Sequence, residues 1–383
     1  MSINILLTGG RAPATYYLAR LLRQQGNTLF MAESLPKHLC MRSNLFQKSF
    51  RVNSPNDNRH AYIEDLIQII QECKIDLLIP TCEEVFHIAY AYDQLSKYCR
   101  VFCEPLDIIK TFHHKGLFIN TLRNKFSEYI HVPFTVFIDT TKTNSRAEIS
   151  NYLEANSINF IKEYVCKPAY SRFGTEVVFK KGSEILDLLF LKKNIWVIQE
   201  KIKGIQICTY AIADNGHMRL FSAYQTNDSV GLSATIYFEP YINRKLEEFV
   251  RRYIEEYKYT GQIAFDLILT DNDEFYPIEC NPRTTSGVCL FPLAQRQQTT
   301  EPYIVGTETT MLGLAMLQTF FSKNIMKQIH KMTRAKDIVW NTKDPNAFFD
   351  QITSFLYLLK ESRKRKISSY QMSTLDIEWN GKE

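Results

Sequence analysis

Gly261–Arg283 reads GQIAFDLILTDNDEFYPIECNPR. Its apolar runs, Ile263–Leu269 and Phe275–Ile278, flank the polar turn Asp271-Asn272-Asp273-Glu274, a pattern that predicts a β-hairpin. Asp266 lies on the first arm, and Glu279 and Asn281 close the second. Antiparallel pairing can bring such residues side by side. Carboxylate and amide oxygens are hard ligands, suited to Mg²⁺ rather than zinc. Arg283 follows as a fixed cation able to grip a phosphate oxygen bidentately. Magnesium with few protein ligands takes others from nucleotide phosphates, so the stretch suggests a nucleotide–metal site.

The chain around it is long and ordinary in composition. Its 383 residues allow two or three domains with sizeable cores. At 45% hydrophobic and 23% charged it reads as soluble and globular. A net charge of +5 is too mild for a dedicated nucleic-acid binder. Nine cysteines without C-x-x-C or metal-type spacing suggest reduced thiols and a cytoplasmic setting. No signal-peptide pattern is evident at the N-terminus. The apolar stretch Met311–Phe321 is too short to span a bilayer, so no membrane insertion is expected.

Upstream, Ile3–Leu7 reads as a buried strand, Thr8-Gly9-Gly10 as a turn and Ala14–Gln25 as a helix. Leu29–Ala32, Tyr62–Glu72 and Asp76–Ile79 continue the alternation as strand, helix and strand, which implies a small parallel α/β sheet. Gly9-Gly10 lacks the G-x-G-x-x-G dinucleotide spacing, so a tight turn is the better reading than a nicotinamide site. Thr81 and Glu84 have capping-box spacing; the alternative is that Glu83 or Glu84 faces a crevice and holds a substrate cation. Short helices should flank His113-His114-Lys115.

The second half changes character. Tyr164–Pro168 is a strand carrying Lys167, followed by the polar turn Ala169–Thr175. A strand lysine before a small-residue turn is one way to clamp phosphates, though taken alone the segment reads better as an ordinary β-hairpin with an exposed Lys. Ile195–Ile202 is a further strand, and Asp214-Asn215-Gly216 joins Ile207–Ala213 to Met218–Tyr224 in a hairpin. Asn227–Tyr237 reads as a loop leading into a strand, Arg244–Tyr257 as a charged helix, and Glu301–Phe321 contains an apolar helix. Helical periodicity returns in Phe348–Leu359, and the basic run Arg363–Lys366 suits the last turn of a helix.

In this order the pieces resemble the ATP-grasp superfamily over roughly residues 1–310. FDLIL…PIECNPR fits the family's acidic–x–Glu–x–Asn–Pro–Arg pattern and is the specific part of the likeness. The carbamoyl-phosphate-synthetase-like branch is the most similar; D-alanine–D-alanine ligase and biotin carboxylase are more distant. The resemblance implies an α/β, Rossmann-like pre-ATP-grasp domain, then an α+β ATP-grasp fold with antiparallel sheets, and a helical C-terminal extension. The expected divisions are 1–112, a lid subdomain at 113–203, a metal and substrate subdomain at 204–322, and 323–383.

The resemblance also implies roles. Lys115 and Lys167 would contact ATP phosphates, and Ser171–Thr175, with Ser171, Gly174 and Thr175, would be the phosphate loop. Gln199, Glu200, Lys201 and Ile202 would line the adenine slot, and Gln206 stands where the family commonly places a ribose-binding Glu. Asp266, Glu279 and Asn281 would bind Mg²⁺ or Mn²⁺, and Arg283 would stabilise the transferred phosphoryl group. The expected activity is an ATP-dependent ligase that activates a small carboxylate as an acyl-phosphate and passes it to an amine, often an amino acid, or to a thiol. A homodimer is compatible with this reading. The rival is a non-catalytic ATP-binding or regulatory protein on the same scaffold, favoured by the glycine-poor phosphate loop and opposed by the intact acidic set.

Overall fold

The computed structural model describes residues 2–143, 145–170, 176–226, 229–230, 234–293, 303–317 and 325–381. The first elements are β1 (Asn4–Thr8), α1 (Pro13–Gln24), β2 (Thr28–Glu33), β3 (Phe46–Arg51), α2 (Arg59–Glu72), β4 (Leu77–Ile79), α3 (Val85–Tyr90), α4 (Tyr92–Leu95) and β5 (Arg100–Val101). The strands form one parallel sheet in the order β3-β2-β1-β4-β5. Ile5, Leu6 and Leu7 are buried in succession, as expected for a central parallel strand covered on both faces. Pro13 starts α1, where its missing N–H is harmless. The C-terminal ends of β1, β2 and β4 meet along one edge, the side of an open α/β sheet where ligands bind. Gly9 has φ +72°, and a Cβ there would stand 2.6 Å from the Thr81 hydroxyl, so the turn needs glycine twice over.

The second group is α5 (Leu106–His113), α6 (Lys115–Lys125), β6 (Thr135–Asp139), α7 (Arg146–Ala155), β7 (Glu163–Pro168), β8 (Val178–Lys181), α8 (Gly182–Leu191) and β9 (Ile195–Glu200). Its strands form an antiparallel sheet in the order β6-β9-β7-β8. Ser145 caps α7 by accepting from the Glu148 N–H, and α7 and α8 bury Ile149, Leu153, Ile185 and Leu189 with this sheet.

The third group is β10 (Ile205–Asp214), β11 (His217–Gln225), β12 (Ser229–Val230), β13 (Ala234–Thr235), β14 (Tyr237–Pro240), α9 (Arg244–Glu256), β15 (Gly261–Leu269), β16 (Phe275–Asn281), β17 (Ile304–Val305), β18 (Thr310–Met311), α10 (Gly313–Leu317), α11 (Ile325–Arg334), β19 (Lys336–Asp337), α12 (Pro345–Arg365) and α13 (Ser369–Met372). The large sheet runs β16-β15-β10-β11-β14-β18-β19, with β17 also on β11. Asn215 and Gly216 take φ 50° and 77°, the left-handed turn expected of Asn-Gly between β10 and β11. The expected hairpin at 261–283 is present as β15 and β16. The apolar helix expected within Glu301–Phe321 is short among the described residues. Residues 304–311 supply strands instead, because β11 and β14 have edges to pair there.

The C-terminal region returns to the first sheet. Asp350 of α12, fully buried, accepts from Arg42, and Asp344 accepts from Ser43. The helix ends at Arg365, with Lys366 left-handed at φ 56°, so the basic run does occupy its last turn. None of the nine cysteines is disulfide-bonded. Among the described residues no helix is long and apolar enough to cross a membrane.

Candidate active site

β15 and β16 form the floor of the site. Asp266 and Glu279 are direct register partners, and Ala264 pairs with Asn281. The Asn281 amide reaches Asp266 Oδ2 at 3.4 Å. Beyond Asp266 the register shifts, so that Leu267 faces Pro277 and Ile278 is the extra residue of a bulge. The Ile278 carbonyl turns to Lys167, whose Nζ donates to it at 3.1 Å. Cys208, opposite Asp266 on β10, lends its thiol to the same carboxylate. Gln206, two residues earlier on the same face of β10, is exposed, with its amide 3.8 Å from Cys208 Sγ.

Both lysines expected to meet phosphates converge here. Lys115 begins α6, and its Nζ stands 3.4 Å from Glu279 Oε1. Lys167 donates to Gln199 Oε1 at 3.1 Å as well as to Ile278. Both side chains are almost wholly buried, a place lysines rarely occupy unless something anionic faces them. Burial pushes the Lys167 ammonium down to about 8 against the attraction of Glu279, with Lys115 adding to the depression.

Arg283 is held from the first sheet. Its Nε donates to Glu83 Oε1 at 2.8 Å, and Nη2 reaches Asn281 Oδ1 at 3.4 Å. The expected capping box forms only in part. Glu84 Oε1 accepts the Thr81 and Cys82 N–H groups and the Thr8 hydroxyl, but the Thr81 hydroxyl donates to the Thr8 carbonyl instead of capping a helix. Burial raises the Glu84 carboxyl above its ordinary range. Of the two residues suggested to hold a substrate cation, Glu83 therefore holds the protein's own Arg283, and Glu84 braces the crevice turns.

Three cations, Lys115, Lys167 and Arg283, thus face three carboxylates, Asp266, Glu279 and Glu83. Burial and the neighbouring Glu279 push Asp266 up to about 6. Burial also pushes Glu279 upward, but Lys115 and Lys167 outweigh it and hold that carboxyl below its ordinary value. Among the described residues no cluster of three or more His, Cys, Asp or Glu is placed to hold a metal. The donor set is two carboxylates and an amide oxygen, which fits a hard cation completed by outside oxygens.

The expected adenine-slot residues divide. Gln199 is buried: its Oε1 accepts from Lys167 and its Nε2 donates to the Thr135 hydroxyl. Glu200 Oε1 accepts the Phe134 N–H at 2.7 Å, and Oε2 pairs with Lys162. Lys201 pairs with Glu163 across the strand edge. At the end of β9 the Glu200 and Lys201 side chains thus take partners at or just before the starts of β6 and β7, and Ile202 follows half-buried. Ser171, Gly174 and Thr175 lie outside the described residues, as does most of 227–233. Sequence reading did not link Glu83 to Arg283, which lie 200 positions apart with no shared motif.

Residues 120–287 match the family described as ATP-grasp domain. No curated protein matches the chain. Similar solved structures include an L-amino acid ligase from Bacillus licheniformis, with TM-score 0.56 and 13% identity, covering 75% of this chain and 68% of that one. The N5-carboxyaminoimidazole synthetase from Staphylococcus aureus has TM-score 0.54 and 12% identity, with coverages of 74% and 71%. The biotin carboxylase domain of the Hydrogenobacter thermophilus 2-oxoglutarate carboxylase has TM-score 0.57 and 12% identity, with coverages of 76% and 66%. At such identities the likeness is one of fold. The matched segment contains Lys167, Asp266, Glu279, Asn281 and Arg283, so the residues of the candidate site other than Lys115 and Glu83 lie in the part of the chain that matches the ATP-grasp domain family.

Proposed function

We propose that the protein is an ATP- and Mg²⁺-dependent ligase that joins a small carboxylate to an amine. The observation that carries this reading is the convergence of Lys115 and Lys167 on the Asp266–Glu279 pair, with Arg283 beside it. Buried ammonium groups facing buried carboxylates suit a ligand that is anionic and brings its own cation. The similar biotin carboxylase domain is described with MgADP, which supports the same ligand here. We place the lid at 113–203 and the metal and substrate floor at 204–322, with 1–112 facing them.

Asp266, Glu279 and Asn281 would hold Mg²⁺, which when bound neutralises charge during phosphoryl transfer. Lys115 and Lys167 bind and orient the phosphates. The substrate carboxylate oxygen attacks the terminal phosphorus, the bond to ADP breaks, and an acyl-phosphate forms. The amine then attacks the acyl carbon, phosphate leaves, and the amine's proton is released. Arg283, fixed by Glu83, stabilises the oxyanion of that step. Closing the Lys167 sheet over the floor keeps water from the acyl-phosphate.

The test is phosphate release with MgATP over a grid of carboxylates crossed with amines and amino acids. Release that needs both partners, with an amide product detected by mass spectrometry, supports the ligase. ATP binding without turnover across the grid overturns it in favour of a regulatory nucleotide-binding protein.

A further inference from the structure

Residues 368–381, the last described part of the chain, meet residues just past the C-terminal ends of β1, β2 and β3 and reach Tyr170 beside the site. Asp376 anchors it. Its carboxylate accepts from Arg11 Nη1 and from the Ser34 hydroxyl, each at 2.6 Å. Its carbonyl accepts from Ser54 Oγ at 3.0 Å and from the Asn56 N–H at 3.2 Å. Three residues on, Trp379 is buried between elements. Its ring stacks on Phe86 of α3, with centroids 5.0 Å apart and planes at 14°, and meets Tyr170 edge-on at 5.1 Å. Gly381 passes flush against the same tyrosine, since a Cβ there would stand 2.7 Å from the ring.

Tyr170 is the piece of chain that both site lysines share. It follows Lys167 by three residues, two past the end of β7. Its neighbour Ala169 accepts the Lys115 N–H at 3.3 Å. Its ring lies 5.1 Å from His114, edge-on, and 6.0 Å from His113. His114 in turn caps α6, accepting the Gly116 and Leu117 N–H groups on Nδ1. Movement of Tyr170 would therefore disturb the start of α6 and the end of β7 together.

We propose that Trp379 is a positioning residue of the nucleotide site: by clasping Tyr170 it keeps Lys115 and Lys167 in register, which makes the C-terminal segment a working part of that site. Its role in nucleotide binding rests on the ligase function proposed above. Aromatic pairs of this geometry are strong enough to matter, and the arrangement spans three regions of the chain that have no covalent reason to stay aligned. A residue that merely filled the first domain's core would affect melting and nothing at the lysines.

The experiment uses the full chain. Trp379→Ala, Trp379→Phe and Tyr170→Leu are compared with the parent for amide hydrogen exchange in nucleotide-free protein and for MgADP affinity by calorimetry. Tyr170→Leu removes the contact from the lid side and keeps the proposal testable should Trp379→Ala fail to fold. The expected result is faster exchange in residues 113–119 and 164–170 and about tenfold weaker MgADP binding for Trp379→Ala and Tyr170→Leu, with Trp379→Phe close to the parent. Lower melting temperature with unchanged exchange in those segments and unchanged affinity overturns the proposal while leaving the ligase reading intact. A parent protein without affinity for MgADP overturns the nucleotide reading itself, and the positioning role with it.

Discussion

Asp266 and Glu279 face each other directly across β15 and β16, yet their acidities move in opposite directions. Burial raises both, but at Glu279 the two lysines outweigh it, whereas at Asp266 the neighbouring Glu279 carboxylate adds to it. A proton entering the pair therefore settles on Asp266.

This fixes a pH dependence. Asp266 rises from an ordinary 3.8 to about 6, so between those values the folded state holds the extra proton. Stability from this group is full below 3.8 and is lost as pH rises through 6 in metal-free protein. A metal ligand must shed that proton, so MgADP affinity should fall as pH drops below about 6, approaching tenfold per pH unit. Asp266→Asn should bind MgADP weakly with a flat profile. Calorimetry between pH 5 and 8 checks this, and a parent profile as flat as the variant's would remove Asp266 from the ligand set.

Lys167 titrates in the opposite sense. Its ammonium falls from 10.5 to about 8, so between those values the unfolded chain binds more protons and the folded protein becomes more stable as pH rises. Lys167→Met should lack this rise, so the melting temperatures of parent and variant should diverge between pH 8 and 10 in the parent's favour. On the proposed role of Lys167 in phosphate binding, the same variant should also bind ATP at least about tenfold more weakly. Thermal melts across that range and ATP titration at pH 7 test both parts.

The hairpin was legible because alternating apolar residues, a polar turn and N-P-R are local signals, and local register then decides that Asp266 meets Glu279. The parallel first sheet was legible for the same reason, from continuous apolar strands and a glycine turn. The family likeness implies only that Lys115 contacts phosphate; its closeness to Glu279 was not legible, since neither residue carries a local mark of the other. The bulge at Ile278 could not be read, although Pro277 in mid-strand is a hint that the ladder is interrupted there. The slot reading of Gln199 and Glu200 comes from the family likeness alone; their pairing with Lys167 and Lys162 follows from which neighbouring segments flank β9, and no local pattern marks it. Contacts between distant segments, Glu83 with Arg283 and Trp379 with Tyr170, leave no periodic trace at all.

Glu83 should matter through Arg283. The pair joins the first sheet's edge to the floor, and the Glu83 carboxylate is nearly buried while the guanidinium is about one-quarter exposed, at 4% and 24%. Glu83→Gln, Arg283→Met and the double variant form a cycle whose coupling in urea unfolding should be about 1–3 kcal/mol. In turnover, Arg283→Met should lose about 10²–10³-fold in kcat, as for removal of an oxyanion donor, and Glu83→Gln a smaller share with little change in KM for ATP. Additive effects of the two substitutions on both measurements would show that Glu83 does not orient Arg283.

Arg11 should govern how the C-terminal segment is held. It donates to Glu33 through Nε at 3.1 Å and to Asp376 through both terminal nitrogens, and all three side chains are largely buried. Burial pushes both carboxyls upward, but Arg11 outweighs it and holds each below its ordinary value. Their contribution is therefore present above the ordinary carboxylate range and is lost as pH falls through the lowered values. Arg11→Met leaves two buried carboxylates without their cation, which should cost about 3–5 kcal/mol at pH 7. The penalty should shrink on acidification, because in the variant burial acts unopposed and both groups take up protons earlier. Urea unfolding of parent and variant from pH 7 down to pH 5 measures the gap. A gap independent of pH would mean that Arg11 contributes packing alone, and that Asp376 is held by its serine and backbone partners.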